Sequence, residues 1–326
     1  MAINKAIQTI LKVLSEPEVD VERDRRIAEL KKLDIARIFM ERVDVCISND
    51  GYEIPIRIYF PTKKKMKEKD ISRYGKKVLL FLHGGGWATE SVETYERICA
   101  QLSHSTGQLV LSVEYRRAPE HHFPIPLSDS YAAAKALYGG QILPHIEPED
   151  ITLIGDSAGG NMAAAMALMA RDRGEFSVRQ MILVYPALWN DYTEHTPFAS
   201  VRENGKHYLL TASRMESYLN LYQSGPEDRQ NPYFAPLLAE DLGDLPRTLI
   251  LTAEYDPLRD EGEEFARRLY DAGNKVEAYR IPNAFHGFFA LGLKHMHVLD
   301  SLERIHVFLE EVADGENEEN QKEKEA

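Results

Sequence analysis

Cysteine is almost missing from this 326-residue chain: Cys46 and Cys99 are the two present, and they lie far apart. Two such residues give neither a disulfide framework nor a zinc site, so both are expected as free thiols. Long apolar runs are missing as well. No stretch of about 18 apolar residues occurs, which excludes a membrane-spanning helix. Met1 to Leu14 is amphipathic, broken by Lys5 and Lys12, and lacks the apolar centre of a secretory signal, so a cytoplasmic protein is expected. An excess of positive charge is also absent, with 39 Lys and Arg against 52 Asp and Glu, a net charge of −13. Residues 310 to 326 hold eight acids and two lysines, hence −6, which leaves −7 for residues 1 to 309. A mildly acidic body offers no footprint for nucleic acid. The five lysines between Lys63 and Lys69 read as a solvated loop. No phosphate-binding loop of the form G-x-G-x-x-G or G-x-x-x-x-G-K-[ST] occurs. His121-His122 and His295-x-His297 are wrongly spaced to share a helix face and have no evident carboxylate partner, so neither a metal nor a cofactor is expected.

What is present is the pattern of a large α/β domain. Ile3, Ile7, Ile10, Leu11 and Leu14 recur at helical spacing, and a second helical pattern runs from Val21 to Phe39. Val43 to Ile47 and Ile54 to Tyr59 flank Asn49-Asp50-Gly51, which predicts an antiparallel hairpin. Short apolar runs follow at 78–82, 109–113, 151–154, 181–185, 248–252 and 276–281. Helical stretches at 93–106, 127–138, 158–173, 260–272 and 295–312 fill most of the gaps. Strands alternating with helices predict a mostly parallel, doubly wound sheet. The interval from Trp189 to Leu245 is too long for a simple crossover. It is rich in aromatics and carries at least one helix, near Ser213 to Gln223, so it reads as an insertion that covers a pocket or, alternatively, as a satellite helical layer. Residues 314–326, with little to bury, are expected to be disordered.

The chain is organised around Gly155-Asp156-Ser157-Ala158-Gly159, where an apolar strand stops and an Ala- and Met-rich helix begins. A sharp strand-to-helix turn needs small residues two places on either side of its apex, and Gly155 and Gly159 supply them. The apex, Ser157, then points its hydroxyl outward at a helix N-terminus, which favours developing negative charge. Upstream, His83-Gly84-Gly85-Gly86-Trp87 follows a strand directly; consecutive glycines let N–H groups converge on an oxyanion. His83 reads as a hydrogen-bonding brace for that loop.

A serine nucleophile needs a base, and the base an orienting acid. His286 stands in a loop just after the last strand, and Asp256 just after the strand ending at Thr252. Glu254, Asp260 and Glu261 compete with Asp256. Glu254 is close enough to the strand to follow its alternation, and Asp260 and Glu261 fit the first turn of the next helix, which leaves Asp256. Each of these side chains alone is commonly structural; their joint placement after successive strands points to catalysis.

These residues, with Tyr115-Arg116-Arg117-Ala118-Pro119-Glu120, Gly160-Asn161, Tyr185-Pro186, Asp256-Pro257-Leu258-Arg259-Asp260-Glu261-Gly262 and His286-Gly287-Phe288, resemble the hormone-sensitive-lipase family of α/β-hydrolases over about 78 to 292. Arg117 and His122 depart from that family's pattern at places that do not touch the chemistry. The resemblance implies an α/β-hydrolase fold divided into N-terminal cap helices (1–42), a core (43–188 and 246–313) and a cap insertion (189–245). It also implies a serine carboxylesterase acting on short acyl esters without a cofactor. Ser157 would be the nucleophile, His286 the base and Asp256 its partner, with Gly85, Gly86 and Ala158 donating to the oxyanion. The substrate would be a small-molecule ester, and a homo-oligomer is compatible with the sequence. An amidase or arylformamidase would use the same residues. A non-catalytic receptor, as the plant gibberellin receptors are, would lack the histidine.

Overall fold

Asp50 and Gly51 both adopt positive φ, 49° and 77°, the conformation a tight hairpin turn demands. They join β1 (Arg42–Asn49) to β2 (Tyr52–Tyr59) in the expected antiparallel pair. The computed structural model describes residues 15, 18–33, 42–61, 75–291 and 295–324. The helix expected over Met1 to Leu14, the end of the pattern reaching Phe39 and the lysine run at 63–69 lie outside those residues.

Beyond the hairpin the apolar runs become β3 (Val78–Leu82), β4 (Leu109–Val113), β5 (Ile151–Asp156), β6 (Gln180–Val184), β7 (Arg247–Tyr255) and β8 (Val276–Phe285). The sheet order is β1-β2-β4-β3-β5-β6-β7-β8, antiparallel at β1-β2 and β2-β4 and parallel elsewhere. Alternation along each strand divides the core in two: Val78, Leu80 and Leu82 face one layer while Leu79 and Phe81 face the other. The helices α2 (Glu96–Thr106) and α8 (Met296–Lys324) cover the second layer. The first is covered by α3 (Ile125–Tyr138), α4 (Ala158–Arg173) and α7 (Arg259–Asp271). Among the described residues, no helix is long and apolar enough to cross a membrane.

One element differs from expectation. The backbone of α8 stays helical to Lys324, through most of the segment expected to be disordered. Glu, Lys and Gln are good helix formers, and extending an anchored helix needs no new nucleus. The interval 189–245, expected to carry at least one helix, holds two, α5 (Ala199–Asn204) and α6 (Ala212–Tyr222). Its side chains Val201, Leu210, Met215, Tyr218 and Tyr222 merge with the first core layer.

Ahead of the sheet, α1 (Val21–Glu29) runs into a 3₁₀ turn at Leu30–Leu33, with Asp20 capping its start through the Arg23 N–H. Arg25 fastens it by donating to Ala88 O (2.8 Å), Ala118 O (2.9 Å) and both carboxylate oxygens of Glu120. Lys31 pairs with Glu90 at 2.6 Å.

Candidate active site

Ser157 sits between β5 and α4 with φ 54° and ψ −118°, a conformation costly for any residue with a side chain and sustained only where its surroundings enforce it. Here the enforcement is backbone pairing. Its N–H donates to Val184 O (2.9 Å), and its carbonyl accepts from Asn161 N (3.0 Å) and Ala187 N (3.2 Å). The glycines on either side are obligatory, since a Cβ on Gly159 would overlap the Leu82 carbonyl and one on Gly155 the Gly159 carbonyl.

The carboxyl ends of β7 and β8 bring Asp256 and His286 to the same sheet edge. His286 Nδ1 lies 2.7 Å from Asp256 Oδ2, and His286 Nε2 lies 2.9 Å from Ser157 Oγ. A carboxylate can only accept, so Nδ1 carries the ring proton and Nε2 is left to accept from the Ser157 hydroxyl. Asp256 is fully buried and His286 is 8% exposed. The second Asp256 oxygen accepts the Leu258 N–H at 2.9 Å. The three competing acids point elsewhere. Glu254 accepts from Asn283 N (2.6 Å), Asp260 accepts from Ser200 N (2.7 Å), and Glu261 accepts from Leu188 N (2.7 Å) and the Tyr192 hydroxyl (2.8 Å).

In the loop after β3, Gly85 and Gly86 adopt φ of 98° and 59°. Gly85 O accepts the Ala88 and Thr89 N–H groups and the Thr89 hydroxyl, curling the loop back on itself. Among the described residues, the N–H groups of Gly85, Gly86 and Ala158 donate to no protein acceptor. A Cβ on Gly86 would overlap the Tyr218 ring, which brings α6 directly against this loop. The Tyr218 hydroxyl accepts from Arg214 (3.2 Å), and Arg214 pairs with Asp24 of α1. Trp87, next in the loop, stacks on Tyr222 with ring centroids 4.4 Å apart.

His83 is fully buried, and burial pushes its imidazole down to about 3, so it is neutral at physiological pH. Its Nδ1 is 2.9 Å from Gly84 O, and Tyr115 stacks on it while donating to its carbonyl at 2.8 Å. The bracing part foreseen for His83 matches these contacts. Arg117, which departs from the family's pattern, donates to Glu90 O at 2.6 Å, and His122 Nδ1 is 2.8 Å from Leu221 O.

Reasoning from sequence missed Asp156. Its side chain is buried, accepting from Gly84 N (2.9 Å), the Tyr95 hydroxyl (2.8 Å) and the Tyr185 hydroxyl (3.3 Å). It thereby ties the glycine loop to the turn that carries Ser157. Burial pushes its carboxyl up to about 6. An acid at the end of the buried run Ile151–Asp156 was the available signal, since a buried charge requires partners. Glu261 is the second such group, its carboxyl pushed up to about 8 by burial, with the Asp256 charge acting the same way.

Comparison with known proteins bears on the family and the fold. A family described as having the alpha/beta hydrolase fold matches residues 79–290. An arylesterase of Saccharolobus solfataricus is 36% identical over 249 residues, covering 76% of this chain and 77% of its own. An ethyl acetate hydrolase of Pseudomonas putida is 33% identical over 254 residues, covering 76% and 77%. Among solved structures, a hyperthermophilic esterase from the archaeon Pyrobaculum calidifontis superposes with a TM-score of 0.83 at 34% identity, over 96% of this chain and 99% of that one.

Proposed function

Because the chain belongs to the alpha/beta-hydrolase family, in its hormone-sensitive-lipase-like branch, and is a carboxylic ester hydrolase, we propose that Ser157, His286 and Asp256 are its catalytic triad. The observation that carries this reading is the continuous hydrogen-bonded line from Ser157 Oγ through both ring nitrogens of His286 to Asp256. Ser157 Oγ attacks the ester carbonyl carbon as its proton passes to His286 Nε2. Asp256 keeps the ring in the tautomer that can take that proton and stabilises the imidazolium that results. The negative charge arriving on the carbonyl oxygen is met by the N–H groups of Gly85, Gly86 and Ala158, the last at the N-terminus of α4. Collapse of the tetrahedral species expels the alcohol, which takes the proton from His286. Water, deprotonated by the same imidazole, then cleaves the acyl-enzyme.

The substrates we assign are esters with short acyl chains. The name of the ethyl acetate hydrolase relative supports this, as does Tyr218 packed against Gly86, which narrows the space beside the oxyanion position. The N-terminal helix and the 189–245 insertion act as the roof of the pocket, joined through Arg214 and Asp24.

Ser157→Ala should remove ester hydrolysis by several orders of magnitude in kcat while leaving the circular dichroism spectrum and Tm near those of the native protein. Unchanged turnover would end the proposal. A panel of 4-nitrophenyl esters of increasing acyl length should show turnover concentrated at the short end.

A further inference from the structure

The insertion between β6 and β7 touches the chemistry in a second way, through its first helix. Ser200 and Asn204 stand four residues apart on α5, and therefore on one face of it. Both are buried, and both are hydrogen-bonded to the loop that carries Asp256. Ser200 Oγ donates to Pro257 O at 2.7 Å and accepts from Asp260 N at 3.2 Å, while Ser200 N donates to Asp260 Oδ2 at 2.7 Å. Asn204 Nδ2 donates to Glu254 O at 3.3 Å and to Asp256 O at 3.2 Å. Around this pair Arg259 bridges Glu254 O and the Glu203 carboxylate, and Tyr208 stacks on Tyr255 with centroids 4.9 Å apart.

The loop needs such help. Between Ala253 and Tyr255 the β7-β8 register shifts, and the strand ends at Tyr255, so Asp256 must be aimed just beyond an irregular strand end. Asp256 has a short side chain, and a tilt of its peptide plane swings Oδ2 away from His286 Nδ1. We infer that Ser200 and Asn204 are positioning residues for catalysis. By pinning the carbonyls of Glu254, Asp256 and Pro257 they hold the Asp256 carboxylate at hydrogen-bonding distance from His286, so the insertion sets the geometry of the triad as well as covering it. This rests on the reading of Asp256 as the triad acid. It assigns the effect to kcat: the brace acts through Asp256 and touches no substrate, and a misplacement of about 1 Å at a catalytic group can cost on the order of 100-fold.

The test is a double-mutant cycle on the full chain with 4-nitrophenyl acetate. Asn204→Ala and Ser200→Ala are each measured in the native background and in Asp256→Asn, with thermal unfolding confirming that every variant is folded at the assay temperature. In the native background each alanine is expected to lower kcat about 10-fold or more with KM nearly unchanged. In the Asp256→Asn background the same substitutions should add less than about twofold, because the group they aim is already lost. Ser200→Thr, which keeps the hydroxyl, should retain most of the kcat that Ser200→Ala loses. Should Asn204→Ala fail to fold, the Ser200 pair carries the cycle. Equal losses in both backgrounds, or a change confined to KM, would overturn the brace and leave the triad standing. Normal turnover in Asp256→Asn alone sinks the triad reading and the brace with it.

Discussion

Ser157 and Asp256 stand at the same sheet edge but are held by different means. Around Ser157 the contacts are backbone to backbone: its own N–H and carbonyl pair with residues 184, 161 and 187, and glycines 155 and 159 leave the room that allows it. Around Asp256 they are largely side chain to backbone and come from a distant stretch, with Ser200 and Asn204 reaching 57 and 52 residues along the chain. A backbone-built turn is rigid and intolerant, because it has no side chain to exchange. A loop clamped by side chains can be adjusted one hydrogen bond at a time, each worth about 0.5–1.5 kcal/mol net.

The most severe way to sharpen this contrast is on the acid side. Asp256→Asn keeps the volume but removes the charge that selects the imidazole tautomer, and kcat should fall by roughly 10³ to 10⁴-fold. Asp260→Asn should leave kcat nearly intact and cost about 1 kcal/mol of stability, read as a lower urea midpoint, because its carboxylate serves Ser200 N and Arg259 instead. A severe loss at 260 with near-normal turnover at 256 would reverse the assignment.

Gly86→Ala tests the backbone-built side. The added methyl meets the Tyr218 ring at a φ of 59°, so the loop must shift, and kcat should fall by about 10² to 10³-fold, the scale of losing one oxyanion donor. A kcat within about threefold of native would mean that the loop adapts as freely as the Asp256 side.

The smallest expected effect is a pH dependence of stability. Burial raises the Glu261 carboxyl to about 8, so the folded protein keeps a proton that the unfolded chain releases. This contribution is fully present below the ordinary carboxylate range and is lost as pH rises through about 8. Glu261→Gln cannot ionise and lacks that loss. Its Tm should therefore gain on the native protein between about pH 5 and pH 9; parallel curves would show that Glu261 does not titrate in this window.

The same contrast explains what could be read from the amino-acid sequence. Ser157 was legible because a backbone-built turn imprints glycines at fixed offsets, and the sheet because strands buried on both faces appear as unbroken apolar runs. Asp256 and His286 were placed by their position after strands. The two short turns of α5 were not seen, since six residues carry too little periodicity to separate from a loop. Nor were the partners of Asp156 visible: Gly84, Tyr95 and Tyr185 lie 72, 61 and 29 residues away, and a contact at that range leaves no local pattern. The last helix was expected over 295–312 but its continuation to Lys324 was not, because composition argued against a core there, whereas α8 is anchored by its packed residues Val298 to Leu309.

The order of these parts along the chain has a further consequence. His286 follows Ser157 by 129 residues and belongs to the end of β8, the outermost strand of the sheet. As the polypeptide leaves the ribosome, the Ser157 turn, the glycine loop and most of the sheet are all available before His286 exists. If His286 is the base, as proposed, hydrolysis waits until the final strand docks, which makes it a reporter that the last edge of the sheet has closed.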